Sequence, residues 1–311
     1  MKEAVEKLFN EQMNGWPLAK QNYAALEQVR SKSFVISGYT FGVQFNPARL
    51  VSSAAKVDAA SLQSRPCFLC ETNRPHEQRG IPFNGRYTIL VNPFPIFPRH
   101  LTIPMNIHTP QLLADSFVDM LDLAEALTDY VVFYNGADCG ASAPDHMHFQ
   151  AGNKGFLPFE EEWKKDKGDA VCRSGNSVLW NWSDGMRTAF VIESDDKTAA
   201  STMFYQLYNF LKSPDKTEPM INVLAWFDDK WIICIFPRKK HRPVCYFALD
   251  DLNNRLVSPA SVDMGGVLIT PLEKDFMRIT TTDIVAIYKD VCFSAEDVDS
   301  VKQLICKPYE E

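Results

Sequence analysis

The chain has 311 residues, of which 46% are hydrophobic and 23% are charged, and its formal net charge is -7. This composition suits a large buried core in one big domain or two coupled halves, and it excludes disorder as the default state. The longest basic run, Arg238-Lys239-Lys240, argues against a protein that tracks along nucleic acid. No segment reaches the roughly 18 apolar residues of a membrane span, and the N-terminus mixes charged and apolar residues, so we expect a soluble, unprocessed protein.

The cysteines indicate a reducing compartment. They occupy positions 67, 70, 139, 172, 234, 245, 292 and 306. Apart from the pair at 67 and 70, they are scattered through apolar segments such as the one around Cys234, which is typical of small buried thiols. We therefore expect a cytoplasmic protein without a disulfide framework.

The first half of the chain alternates between helical and strand patterns. Apolar residues at helical spacing predict helix in the first thirty residues. Strands are predicted at 34–36, 39–45, 87–91 and 101–104, with a turn at 46–49. The last two strands flank a loop with prolines at 93, 95 and 98, so we expect a hairpin. From 109 to 134, recurring apolar residues with interleaved acids predict one long amphipathic helix.

The second half repeats these element types in outline. The charged run 160–169 is expected to separate the halves, because it is too polar to pack on both sides. A helix at 201–211 and a strand pair at 221–227 and 230–236 follow, and the turn Pro237-Arg238 resembles Pro98-Arg99. Two helices are predicted in the last forty residues, the second opened by a capping box at Ser294. The repetition favours an internal duplication, although helix and hairpin occur in a changed order.

The segment Asp145-His146-Met147-His148-Phe149-Gln150 contains the clearest chemical motif. On an extended strand both imidazoles and Gln150 would project from one face. The preceding loop, 135–144, is small and flexible enough for its backbone N–H groups to surround an anionic oxygen. A neutral imidazole is a competent nucleophile toward phosphorus, and an amide can bind a phosphoryl oxygen. The alternatives are two structural histidines or a metal-binding pair.

Cys67-Phe68-Leu69-Cys70 is a second motif, and by itself it fits a redox dithiol, two buried thiols or half of a zinc site. Its proline-rich surroundings argue against a thioredoxin-like helix start. Zinc requires two further ligands, for which His100 and His146 are the best candidates. His76 and His108 are rivals for the third position.

The segment from Asn135 to Gln150 resembles the His-x-His-x-Gln signature of the transferase branch of the histidine-triad superfamily. That branch includes galactose-1-phosphate uridylyltransferases, diadenosine tetraphosphate phosphorylases and GDP-L-galactose phosphorylases. Residues 45–49, 65–70, 91–95 and 100–104 are similar to uridylyltransferase segments. Residues 148–151, 157–160, 258–260 and 265–269 are similar to GDP-L-galactose phosphorylases. The chain thus mixes features of two subfamilies, so its substrate cannot be copied from either.

The resemblance implies an α+β fold, an antiparallel sheet with flanking helices in two histidine-triad-like halves. Residues 1–165 would be the catalytic half, and residues 166–311 a degenerate half that completes the substrate site. His148 would be the nucleophile and Ser142 and Gln150 the phosphate contacts. The expected substrate-binding residues are Asn92, Phe94, Asn135, Gly140 and, from its repeat-like turn, Arg238. A structural zinc ion would be bound by Cys67, Cys70, His100 and His146.

The expected activity is nucleotidyl transfer through a covalent nucleotidyl-histidine. The donor would be a nucleotide sugar or a dinucleoside polyphosphate, and the acceptor inorganic phosphate or a sugar 1-phosphate. Neither nucleic acid nor membrane is an expected partner, and the sequence leaves a homodimer open. A nucleotide hydrolase and a non-catalytic nucleotide-binding protein are the alternative functions.

Overall fold

The computed structural model describes residues 1–50 and 59–305. The strands are β1 (Arg30–Ile36), β2 (Tyr39–Phe45), β3 (Gly80–Phe83), β4 (Tyr87–Val91), β5 (His100–Pro104), β6 (Tyr130–Asn135), β7 (His148–Asn153), β8 (Asp169–Ser174), β9 (Ser177–Ser183), β10 (Thr188–Ser194), β11 (Ile221–Asp228), β12 (Lys230–Pro237) and β13 (Val267–Thr270). The α-helices are Lys2–Gly15, Pro17–Leu26, Ala59–Ser64, Phe117–Ala126, Pro158–Lys165, Lys197–Leu211, Ser261–Met264, Glu273–Arg278, Thr281–Val291 and Ala295–Ile305. None of these helices has the length and apolar character needed to cross a bilayer.

A ten-stranded antiparallel sheet forms the centre of the fold, in the order β3-β4-β5-β7-β6-β11-β12-β10-β9-β8. Each half of it contains three consecutive strands, a helix and two further strands, and the last strand lies beside the third. The halves join between β6 and β11, where Asn135 pairs with Asn222. The helix therefore precedes the final strand pair in both halves, which corrects the changed order inferred from the sequence. The α+β fold with two similar halves is confirmed.

Apolar side chains cover both faces of this sheet. On one face lie the helices Phe117–Ala126 and Lys197–Leu211, one from each half, together with the N-terminal helix. Their contact is a stack of the Phe117 and Phe204 rings, with centroids 3.6 Å apart and planes within 2° of parallel. Burying these large rings against each other stabilises the arrangement of the two halves.

The opposite face is covered by a smaller sheet and by C-terminal helices. In the small sheet β2 pairs antiparallel with β1 and parallel with β13, and Gly42 lies opposite Val267. This parallel pairing places the segment preceding β13 over the large sheet.

The side-chain alternation of β7 determines which face of the sheet His148 and Gln150 occupy. Phe149 packs into the first core, so His148 and Gln150 point to the opposite face. In β12, which occupies the same place in the second half, that face carries Ile232 and Cys234. The second half is thus apolar where the first half is polar.

The predicted helix from 109 to 134 is wrong in its extent. The helix spans only Phe117–Ala126, and Tyr130–Asn135 forms a central strand of the sheet. Every residue of that strand is buried, and its β-branched and aromatic side chains favour a strand. A continuous apolar run of this length has no clear period, so spacing alone does not separate strand from helix.

The charged run 160–169 is not the solvated connection that its composition predicted. Most of it belongs to the helix Pro158–Lys165, which buries Phe159 and Trp163 in the second core. Glu162 accepts a hydrogen bond from the buried Arg187 at 2.8 Å. A charged residue can pack inside when it has such a partner.

Candidate active site and metal cluster

His148 begins β7, and its hydrogen bonds define its tautomer. Its Nδ1 lies 2.8 Å from the carbonyl oxygen of His146, which can only accept, so Nδ1 carries the proton. Nε2 therefore keeps a lone pair, and it has no hydrogen-bond partner among the described residues. The side chain is 4% exposed, and this burial lowers the pKa of His148 to about 4. The ring is neutral near pH 7 and can act as a nucleophile.

Gln111 holds the backbone of His148 in place. Its Oε1 accepts the His148 N–H at 2.8 Å, and its Nε2 donates to the carbonyl oxygens of His148 and Asn135, both at 3.0 Å. Gln111 is 1% exposed, so these bonds are shielded from water. One buried amide thus connects the start of β7 to the end of β6.

A cleft lies beside this strand face. Four of the predicted residues, Gln150, Ser142, Asn135 and Gly140, line it together. The backbone N–H groups of Gly140, Ala141 and Ser142 have no hydrogen-bond partner in the part of the chain that the structure describes. Three consecutive free N–H groups beside an amide side chain form an environment suited to an anionic oxygen.

Gly140 adopts a left-handed conformation, with φ +95°, at the point where the loop meets the second half. A Cβ atom there would lie 2.6 Å from the Cβ of Ala260. Only glycine allows both this φ and this close approach. The glycine therefore lets the 136–145 loop pack directly against the segment before β13.

Basic residues also line the cleft. Arg49, His241 and Arg242 line it together with Ser258, whose Oγ accepts from Arg242 Nε at 3.2 Å. Arg49 donates from Nη1 to a backbone carbonyl at 2.9 Å, and burial lowers its pKa to about 10. Among the lining residues Asp263 is acidic, and its two oxygens accept backbone N–H groups. Guanidinium groups in the same cleft as free backbone N–H groups provide positive charge for an anionic ligand.

Four side chains form a cluster that could hold a metal ion: Cys67, Cys70, His108 and His146. Their ligand atoms all lie within 4.8 Å of one another. Nδ1 of His146 is 3.3 Å from Cys67 Sγ, and Nδ1 of His108 is 3.2 Å from Cys70 Sγ. Two thiolates and two imidazoles are a typical donor set for tetrahedral zinc.

Neighbouring groups orient the ligand atoms of this cluster so that they can bind a cation. His146 donates from Nε2 to the Met105 carbonyl oxygen at 2.8 Å, which leaves the Nδ1 lone pair directed at the thiols. Burial alone would raise the pKa of the Cys67 thiol, but hydrogen bonds from neighbouring groups, among them the N–H groups of Leu69 and Cys70, lower it. A lowered pKa favours the thiolate, the form that binds metal.

His100 does not belong to the cluster, so its predicted role as a metal ligand is wrong. It lies at the opposite end of β5 from Pro104, and Pro104 is the residue that pairs with His148. The His100 ring is fully buried against Phe97 and Phe133. His108 takes the predicted place of His100.

Arg238 does not contact the cleft as predicted. All five of its N–H donors bind protein oxygens: Asn222 Oδ1 and the carbonyls of Val291, Pro259, Lys240 and His241. No donor is left for a phosphate. Arg238 instead holds in place the two backbone segments that bear His241 and Ser258.

The two residues predicted from the strand end, Asn92 and Phe94, lie beside the cleft but do not line it. Asn92 is 9% exposed, and its amide hydrogen-bonds within the protein to Thr102 and Gln150. The Phe94 carbonyl accepts from Arg49. Asn92 is therefore connected to the cleft through the Gln150 side chain, and Phe94 through the Arg49 side chain.

Several site residues were missed by the sequence analysis. The basic turn ending at His241 was noticed, but Arg238 was chosen from it instead of His241 and Arg242. Arg49 was noticed only within a turn and within the segment 45–49 that is similar to uridylyltransferases, and no role was assigned to it. Gln111 gave no signal, because a single glutamine in a loop has no pattern of its own.

Comparison with known families and structures assigns the fold. Residues 8–153 match the family described as a domain of unknown function, DUF4922, and residues 186–311 match the GDPGP1-like C-terminal domain. No curated protein sequence matches the chain significantly. The structure of yeast Ap4A phosphorylase is 18% identical with a TM-score of 0.59, and the match covers 89% of this chain and 96% of that chain. For the same yeast enzyme in complex with Ap4A, the TM-score is 0.54 at 18% identity, over 94% of this chain and 96% of that chain. The chain therefore shares its fold with yeast Ap4A phosphorylase, and its residues 186–311 match a GDPGP1-like C-terminal domain.

Proposed function

We propose that the chain is a nucleotidyltransferase or phosphorylase that works through a nucleotidyl-histidine on His148. In the first half-reaction His148 Nε2 attacks the α-phosphorus of the donor, and the bond from that phosphorus to the leaving phosphate oxygen breaks. In the second half-reaction an oxygen of the acceptor attacks the same phosphorus, and the P–N bond breaks. His148 then regains its lone pair.

The observation that carries this proposal is the hydrogen bond from His148 Nδ1 to the carbonyl oxygen of His146, 2.8 Å long. It keeps Nε2 unprotonated before the attack. When the ring becomes positively charged in the intermediate, the same carbonyl oxygen stabilises the charge through Nδ1–H. No proton has to leave the histidine in either half-reaction.

The cleft supplies what a phosphoryl group requires. The N–H groups of Gly140, Ala141 and Ser142 and the Gln150 amide are placed to bind non-bridging oxygens of the attacked phosphate. Arg49 and Arg242 in the same cleft would neutralise the adjoining phosphates. In this proposal the first half, 1–165, would provide the nucleophile, and the second half, 166–311, would provide part of the cleft lining.

The substrate class is part of the proposal. The donor would be a nucleotide sugar or a dinucleoside polyphosphate, and the acceptor would be inorganic phosphate or a sugar 1-phosphate. The similarity to a yeast Ap4A phosphorylase whose structures include complexes with AMP and with Ap4A supports a nucleotide ligand.

The four-residue cluster would hold one structural zinc ion. When bound, zinc would link the turn at Cys67–Cys70 and the loop at His108 to His146, two residues before the nucleophile. Its contribution is rigidity at the start of β7, because the four protein ligands complete a tetrahedral set.

The test is incubation of the purified protein with nucleotides labelled at the α-phosphorus. We expect label that remains on denatured protein, is stable to base and labile to acid, and is released as nucleotide product by inorganic phosphate or a sugar 1-phosphate. Hydrolysis at a rate independent of phosphate, with no bound label, would identify a hydrolase instead. Reversible stoichiometric binding without turnover would identify a non-catalytic nucleotide-binding protein. A panel of ADP-, GDP- and UDP-sugars and diadenosine polyphosphates would define the donor.

A further inference from the structure

We propose that His100 and Asn92 are positioning residues that lock the Gln150 amide with its NH2 group toward the cleft, as a donor to a non-bridging phosphoryl oxygen. The proposal rests on the proposed function for its chemical meaning. Its structural part, the orientation of the Gln150 amide, can be tested without measuring turnover.

The series of hydrogen bonds that orients Gln150 begins at the proline-rich loop between β4 and β5. Pro93 and Pro95 have no N–H group, so the donors in this stretch are the N–H groups of Phe94 and Ile96. The Ile96 N–H donates to His100 Nδ1 at 3.2 Å, and the Phe94 N–H donates to Asn92 Oδ1 at 2.9 Å. Two backbone donors therefore set the orientation of two side chains.

The first consequence concerns the tautomer of His100. Because Nδ1 accepts a hydrogen bond, the proton of the neutral ring resides on Nε2. Nε2 lies 3.0 Å from Gln150 Oε1 and donates to it. Burial lowers the pKa of His100 well below neutrality, to about 3, so the ring does not become a double donor near pH 7.

The second consequence concerns Asn92. Since its Oδ1 accepts from Phe94, its Nδ2 faces Thr102 Oγ1 at 2.8 Å and Gln150 Oε1 at 3.4 Å. Gln150 Oε1 thus has two donors directed at it. Rotating the Gln150 amide by 180° would place its own NH2 group against both of them, which is unfavourable in a buried site.

The Gln150 Nε2 consequently has to point away from His100 and Asn92. It has no hydrogen-bond partner among the described residues, while the side chain lines the cleft. An amide fixed as a donor needs no reorientation when charge develops on the phosphoryl oxygen, and such preorganised donors are effective in catalysis. An amide free to rotate would spend part of its time presenting an oxygen to the phosphate.

The kinetic test compares single-turnover formation of the nucleotidyl-enzyme in four proteins: wild type, His100→Phe, Gln150→Ala and the double variant. Phenylalanine keeps the aromatic packing with Phe97 and Phe133 but removes the donor. We expect His100→Phe to slow the step by about tenfold or more, and to add nothing further in the Gln150→Ala background. His100→Gln, which restores an N–H donor, should recover part of the rate. His76→Phe, at an exposed position, is the matched control.

Unchanged kinetics in His100→Phe, or a double variant slowed by the product of the two single effects, would overturn the proposal. A second measurement decides the question even if the protein forms no nucleotidyl-enzyme. In protein labelled with 15N-histidine, NMR should report His100 as the Nε2–H tautomer, and His100→Phe should shift the side-chain amide signals of Gln150. A His100 ring protonated on Nδ1 would contradict the arrangement, whereas absent label transfer with the expected tautomer would contradict only the proposed activity.

Discussion

At the scale of single residues, replacing His148 tests the proposed covalent step. His148→Ala removes the attacking nitrogen but little of the cleft surface, so nucleotidyl-enzyme formation should fall by at least about a thousandfold while nucleotide affinity stays near wild type. Rapid-quench labelling and equilibrium binding measure the two quantities. His76→Ala, at an exposed position, should match wild type. Near wild-type turnover in His148→Ala would rule out the covalent mechanism.

The predicted groupings that the structure reproduces are those with a local pattern. His148 and Gln150 share a strand face because they are two apart, and Cys67 and Cys70 share a turn because they are three apart. His108 and His100 could not be separated in this way. Both flank the predicted strand 101–104, and only the pairing of Pro104 with His148 shows which end of β5 lies near the cysteines. That pairing is a long-range contact, and the spacing of residues along the chain does not predict it.

At the scale of elements, the metal cluster connects a turn, a loop and a strand start. Cys67→Ser should lose bound zinc and lower the unfolding temperature by several degrees, because metal binding contributes directly to folding free energy. Cys245→Ser, another half-buried thiol outside the cluster, should keep the metal. Metal analysis and thermal scans with and without chelator measure both effects. Equal zinc content in the two variants would show that the cluster does not bind the ion.

Arg187 connects three elements from inside the second core. It is fully buried and donates to Asp184 Oδ2 at 2.7 Å, to Glu162 Oε2 at 2.8 Å and to the Met264 carbonyl oxygen at 2.9 Å. Arg187→Met would leave two buried carboxylates without their cation, so we expect the free energy of unfolding in urea to fall by about 3 to 5 kcal/mol.

The control for this change is Arg173→Met, since Arg173 is exposed on β8. Its effect should stay below about 1 kcal/mol. If the two variants unfolded at the same urea concentration, the buried ion pairs would not stabilise the fold in the way that their geometry indicates.

Element boundaries show where sequence patterns lose information. The strands at 34–36, 39–45, 87–91 and 101–104 were placed well, because turns or prolines bound them. By contrast, Tyr130–Asn135 follows a helix after only a few residues and is buried on both faces, so neither a turn signal nor an alternation marked it. The strands β8, β9 and β10 were not predicted, because the charged run before them was the only pattern recognised in that part of the sequence.

At the scale of the whole molecule, Glu218 lies between the two halves. Its Oε1 accepts the Leu113 N–H at 2.7 Å, and its Oε2 accepts the Tyr134 hydroxyl at 2.8 Å. Burial nevertheless raises the pKa of Glu218 from 4.5 to about 7. A raised acid pKa means that the folded protein binds the proton more tightly than the unfolded chain, so stability is lost as pH rises between these two values.

Glu218→Gln, which cannot ionise, isolates this effect. The free energy of unfolding of wild type minus that of Glu218→Gln should decline on the order of 3 kcal/mol from pH 4.5 to pH 8, because each pKa unit corresponds to about 1.4 kcal/mol. Urea unfolding of both proteins across this range measures the difference, in which the other titrating groups cancel. A difference that stayed constant or increased with pH would contradict the assignment.

The parallel pairing of β13 with β2 has a consequence for how the chain acquires its structure during synthesis. The hydrogen bond from Thr270 to Gln44 joins residues 226 positions apart. At a translation rate of about 5 to 20 residues per second, β2 waits at least about ten seconds for its partner strand to leave the ribosome. Until then the face of the large sheet that carries His148 lacks its covering segment, so a nascent chain has the proposed nucleophile in place before it has a cleft. The order of synthesis thereby separates the appearance of His148 from that of the proposed ligand-binding wall.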